Sequence, residues 1–158
     1  MDRRTSKEQY YLDIADTVSE RSTCLRRRYG AIIVRNDEII STGYNGAPRG
    51  RQNCIDLGRC TREELNIPSG ERYELCRSVH AEANAIISAS RRDMLDATLY
   101  LAGRDSASGK PLPIASSCSM CRRLIINAGI TRVVARDGEK VTVTPVLDWI
   151  EEDDSLPQ

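Results

Sequence analysis

Histidine occurs once in this chain, phenylalanine not at all, and aromatic residues are scarce throughout. Without Phe, the core has to be built from Leu, Ile, Val and Ala. The scarcity of rings also removes the platforms on which single-stranded nucleic acid is stacked. Net charge is missing too: 23 Lys and Arg balance 23 Asp and Glu, so the basic excess of a nucleic-acid binder is lacking. No segment reaches the roughly 18 to 20 apolar residues that a membrane helix needs. The opening "MDRRTSKEQYY" runs into a polar helix with no apolar signal region. These absences point to a cytoplasmic protein with neither membrane nor nucleic acid as partner. Thiols stay reduced there, so six cysteines speak for metal or catalysis before disulfides.

At 158 residues the chain is long enough for one sizeable core. Tyr11, Ile14, Ala15 and Val18 recur at helical spacing and predict an amphipathic helix from Ser6 to Arg21. "RYGAIIVRNDEIISTGYNG" predicts strands Ala31–Arg35 and Glu38–Thr42 around a turn at Asn36-Asp37. The polar stretch from Gly46 to Arg77 carries three cysteines and no obvious element, so it needs something to hold its shape. A second helix is expected over His80–Arg91, a strand over Ala97–Gly103, and an exposed loop over Arg104–Ser116. A third helix, "CSMCRRLIINAGI", closes on Gly129. Two strands, "TRVVAR" and "VTVTPV", and a short acidic helix around Trp149 complete the chain. The order α-β-β-α-β-α-β-β predicts an α/β fold of three layers, α/β/α, around a mixed five-stranded sheet.

Two helix starts carry the chemistry: His80-Ala81-Glu82 and Cys118-Ser119-Met120-Cys121. Cysteines three apart at a helix start share a face, where unpaired N–H groups and the dipole favour thiolates. One imidazole and two thiolates make three zinc ligands, and catalytic zinc differs from structural zinc in leaving its fourth position to water. Glu82, two residues beyond His80, cannot easily share that ion. It can reach the water instead, whose pKa a zinc ion lowers to about 7, and relay its proton. Alone, His80 would read as a satisfied core histidine and the cysteine pair as buried or redox thiols. Jointly they resemble the H-x-E and P-C-x-x-C signature of zinc deaminases, read here as HAE at 80–82 and SCSMC at 117–121.

"STGYNGAPRG" (Ser41–Gly50), "RSVHAEANAI" (Arg77–Ile86) and "CSMCRRLIINAGI" resemble the deoxycytidylate deaminase family of the cytidine deaminase-like superfamily. "RSTCLRRRYGAIIV" (Arg21–Val34) looks like that family's lead-in to its first strand. The resemblance spans about Tyr10 to Asp137. It implies a cytidine deaminase-like fold over one domain, 1–158, with a cysteine-containing insertion at about 46–77. It implies hydrolytic deamination of dCMP to dUMP with release of ammonia, supplying dUMP for thymidylate synthesis. The zinc ligands would be His80, Cys118 and Cys121, with Glu82 moving the proton from water to N3 and the departing amine. Asn45 would bond the sugar, the backbone at Ala81 would read the base, and Arg26 would take the 5′-phosphate, with Arg49 and Arg51 in reserve. A second, structural zinc is expected at Cys24, Cys54, Cys60 and Cys76, an all-cysteine site because no histidine is spare; buried free thiols are the other reading. The resemblance also implies dCTP and dTTP as effectors and a dimer-based homo-oligomer, up to a hexamer.

The pattern departs from the family in three places. Ser117 stands where proline is usual and is expected to cap the metal helix through its hydroxyl. Arg104–Ser116 is inserted before Cys118. "DGEK" replaces a longer tyrosine-bearing loop near the phosphate. Two rivals follow: a deaminase of another cytosine nucleoside or nucleotide, and a catalytically weak, zinc-stabilised nucleotide-binding module. Glu82 argues against the second, since a purely structural fold needs no acid there.

Overall fold

The structure, a computed structural model, describes residues 3–152; the ends of the expected 1–158 domain lie outside the described residues. Helix α1 (Lys7–Ser19) is followed by β1 (Arg27–Arg35) and β2 (Glu38–Tyr44). Asn36 and Asp37 join the strands with φ of 51° and 61°, the left-handed pair that a tight hairpin with native twist requires. The insertion then holds two single-turn helices, α2 (Cys54–Leu57) and α3 (Thr61–Glu64), and a 3₁₀ turn at Tyr73–Leu75. Next come α4 (Ala81–Ile87), α5 (Arg91–Met94), β3 (Thr98–Asp105), α6 (Ser119–Ala128), β4 (Arg132–Asp137), β5 (Lys140–Pro145) and α7 (Val146–Glu151).

The strands lie in the order β2-β1-β3-β4-β5. Only β3 and β4 run parallel, joined by α6; the other neighbours are antiparallel. The sheet is therefore mixed, and the period-2 alternation of its strands divides the core in two. Ile32, Val34, Tyr100, Ala102 and Val134 face α1 through Tyr11, Leu12 and Ala15. Ala31, Ile33, Leu99, Leu101 and Ala135 face Ala81 and Ala85 of α4 and Ile125 of α6. Helices thus cover both faces, as expected of a three-layer α/β/α fold.

Three boundaries differ from the sequence reading. β1 begins at Arg27, not Ala31, because its first residues pair with the far end of β3, Arg27 opposite Asp105. The helix expected to reach Arg91 stops at Ile87, since Ser90 starts a new one by accepting the backbone N–H of Asp93. The cap expected from Ser117 is also absent: Cys118 is the N-cap residue, with no side-chain cap bond.

α4 is held against β2 by an approach only glycine permits. A Cβ on Gly43 would stand 2.3 Å from the Ala81 carbonyl oxygen and 2.4 Å from the Ala85 nitrogen. The Ser41 hydroxyl donates to the Ala85 carbonyl at 2.7 Å and the Asn84 amide to the Tyr44 carbonyl at 2.8 Å. Gly43→Ala must push helix and strand apart, and its expected cost is that of an overpacked core, about 1–3 kcal/mol, read by urea unfolding.

Candidate active site

Two backbone hydrogen bonds between Gly46 and Val79, 3.1 and 2.7 Å, tie the end of the β2 segment to the residue before His80. His80 is the N-cap of α4 and Cys118 that of α6, so two helix starts meet. The Nδ1 of His80 lies 3.5 Å from the Cys118 sulfur and 3.4 Å from that of Cys121. All three donor atoms fall within 4.8 Å of one another, the one such grouping among the described residues. Tetrahedral zinc with ordinary Zn–N and Zn–S bonds places imidazole nitrogen and thiolate sulfur roughly 3.5 Å apart. The donor set fits that ion in kind and in spacing.

The neighbouring sulfurs of Cys118 and then Cys76 push the His80 imidazole up to about 10, against the effect of burial. Cys118 is pulled down by the Cys121 thiol that bonds its thiolate, with His80 assisting, and Cys121 is pushed up by that same neighbour and by burial.

Glu82 is 5% exposed. Burial raises its pKa, opposed by a backbone hydrogen bond and by the Ser117 hydroxyl. Ser117 is itself buried, its hydroxyl makes no hydrogen bond among the described residues, and it lies close enough to the carboxyl group to act on it.

The cavity over these groups is lined by residues from every segment singled out in the sequence. His80, Ala81, Glu82 and Cys118 form one side, Asn45 and Arg26 another, and Cys24, Cys60 and Cys76 sit around it. Asn45 is 6% exposed, and its amide is largely engaged by the protein. Its Oδ1 accepts from the Ser22 hydroxyl at 2.6 Å and the Tyr29 N–H at 2.8 Å, and its Nδ2 donates to the Arg27 carbonyl at 2.9 Å. Asn45 thus fixes the entry to β1 whatever it does to a ligand. The Arg26 guanidinium pairs with Glu63 at 3.2 Å. Arg49 and Arg51 are exposed and do not line the cavity.

Arg27, Tyr29, Arg62 and Tyr73 line the cavity as well and were not singled out in the sequence. For the first two a signal existed: Ala31 and Ile33 face α4, and counting back by twos from them puts Tyr29 and Arg27 on the same face. Nothing comparable marks Arg62 and Tyr73, which belong to the insertion.

Cys54 is buried, and its thiol is raised by burial first and then by the charges of Cys24, Cys76 and Cys60. The four cysteines thus converge on one region without three of their sulfurs lying within 4.8 Å of one another.

The family model for the cytidine and deoxycytidylate deaminase zinc-binding region matches residues 5–136. The deoxycytidylate deaminase of Mycobacterium phage D29 is 36% identical over 135 residues, covering 83% of this chain and 94% of that one. That of Saccharomyces cerevisiae is 36% identical over 132 residues, covering 83% of this chain and 38% of the longer yeast protein. A crystal structure of dCMP deaminase from the cyanophage S-TIM5 superposes with a TM-score of 0.60 at 24% identity, covering 92% of this chain and 90% of that one, a likeness of fold.

Replacing Asn45 by Ala strands the Tyr29 N–H and the Arg27 carbonyl. Its expected cost, about 1–3 kcal/mol in urea unfolding, is that of leaving part-buried backbone groups unpaired.

Proposed function

Since the chain belongs to the cytidine and deoxycytidylate deaminase zinc-binding family, we propose that it hydrolyses dCMP to dUMP and ammonia at the cavity over His80, Cys118 and Cys121. The observation that carries this reading is the three-donor cluster at zinc spacing with a buried carboxyl group next to it. When bound there, zinc makes water a nucleophile at neutral pH. Glu82 accepts one proton as the water oxygen bonds to C4 and passes it to N3. It then takes the second proton from the new C4 hydroxyl and gives it to the amine, which leaves as ammonia while the C4 carbonyl forms. Its burial favours this role, because a carboxyl group raised from its ordinary range both takes and gives a proton readily. The backbone at Ala81 reads the base, and Asn45 borders the sugar. Arg26 grips the 5′-phosphate by exchanging Glu63 for it, with Arg27 beside it in place of Arg49. A binding module would have no use for an acid in that position.

A second, structural zinc held by Cys24, Cys54, Cys60 and Cys76 is the smaller part of this proposal. It is supported by the convergence of four thiols on an insertion poor in apolar residues, and binding would have to draw the sulfurs together. A dimer-based homo-oligomer is supported by the exposure of Ile87, Ile114, Leu147 and Ile150. Regulation by dCTP and dTTP belongs to the same reading, as does a cytoplasmic location. No helix among the described residues is long and apolar enough to cross a membrane.

Glu82→Ala is expected to stay folded and zinc-loaded while ammonia release from dCMP falls by about 10²–10⁴ or more. Turnover of cytidine or deoxycytidine as fast as dCMP would reject the monophosphate substrate. For the metals, the expectation is two zinc ions per chain and one in Cys60→Ser; one in both would remove the structural site.

A further inference from the structure

The insertion reaches the metal-site imidazole through a stack of three side chains. Arg62 is 5% exposed. Its guanidinium donates to the carbonyls of Pro68 and Glu71, each at 2.8 Å, and lies 4.4 Å over the ring of Tyr73. Its Nε has no hydrogen-bond partner, so the face of Tyr73 is what offsets the rest of this buried charge. Tyr73 in turn meets His80 edge to face, with ring centroids 5.0 Å apart and planes at 81°. The Nδ1 of His80 is turned toward Cys118 and Cys121, and Tyr73 is not one of the three donors.

We infer that Tyr73, held by Arg62, is a positioning residue for His80: it fixes the ring plane in which Nδ1 is presented to the metal. The segment has little else to hold it. It is a single 3₁₀ turn entered through Arg72 in a left-handed conformation, φ 50°. The inference rests on the zinc reading above and adds that the insertion is part of the ligand's support and not only a cover for the cavity. Groups that orient a metal-binding histidine commonly alter metal affinity or activity by about 10–100-fold when lost.

The test uses the full chain with cobalt(II) in place of zinc. The difference spectrum between wild type and His80→Ala assigns the bands of this centre. Tyr73→Leu is expected to shift those bands, to weaken metal binding about 10–100-fold in chelator competition, and to lower kcat for dCMP with little change in KM. Tyr73→Phe, which keeps the ring, should restore all three. A folded Tyr73→Leu protein with wild-type cobalt bands and affinity would overturn the inference while leaving the zinc reading intact. Cobalt bands unchanged in His80→Ala would overturn both. Should Tyr73→Leu not fold, the wild type decides, because His80 is the only histidine. Nuclear Overhauser contacts between its ring protons and those of Tyr73, with slow exchange of the ring N–H, support the inference. Fast exchange and no contact reject it.

Discussion

The molecule depends on bringing two helix starts within one ion's reach. His80 and Cys118 come from segments that cannot find each other locally. One follows the insertion and lies against β2, and the other follows the loop after β3. The sheet brings them together, because β2 and β3 flank β1 on opposite sides and α4 and α6 pack on one face of it. The close approach of Gly43 to α4 sets how deeply His80 sits. The parallel β3–α6–β4 crossover sets where the cysteines sit, near the carboxyl end of β3, where ligands of open α/β sheets gather. A small error in either contact would leave the imidazole and the two sulfurs at the wrong spacing.

Much of this was legible in the sequence because the signals were local and periodic. The Asn36-Asp37 hairpin, the αL glycine at Gly129 with φ of 84° and the alternation of "AIIV" and "LYLA" each follow from short-range rules. The H-x-E and C-x-x-C pairs were legible too, since each lies within one helical turn. What was not legible depended on long-range partners. The first four residues of β1 do not read as a strand until their pairing with Ala102–Asp105 is known. The end of α4 at Ile87 is set by Ser90 beginning another helix. Arg49 sits beside "GYNG" in sequence, yet the turn at Gly50, φ 89°, leaves it exposed, whereas Arg62 lies far along the chain and ends up in the cavity.

The insertion shows how a polar segment can be ordered with few apolar side chains. A single buried guanidinium organises it by satisfying two carbonyl groups and covering a ring. Arg77 adds a bond to the Gln52 carbonyl at 2.6 Å, and Ile55 one to the Thr23 carbonyl at 3.3 Å. These contacts are directional, in contrast to an apolar core that tolerates repacking.

The pairing of β1 with β3 carries a further consequence for how the protein is made. Arg27 meets Asp105 only after the hairpin, the insertion and α4 have all been accommodated between them, a closure that slows folding when contacts are distant in sequence. The imidazole lies before β3 and both thiols after it, so the half-built chain offers no complete ion cage. The metal therefore selects the finished fold, and scarcity of the metal would be felt as lost thermal stability through mass action on the native state.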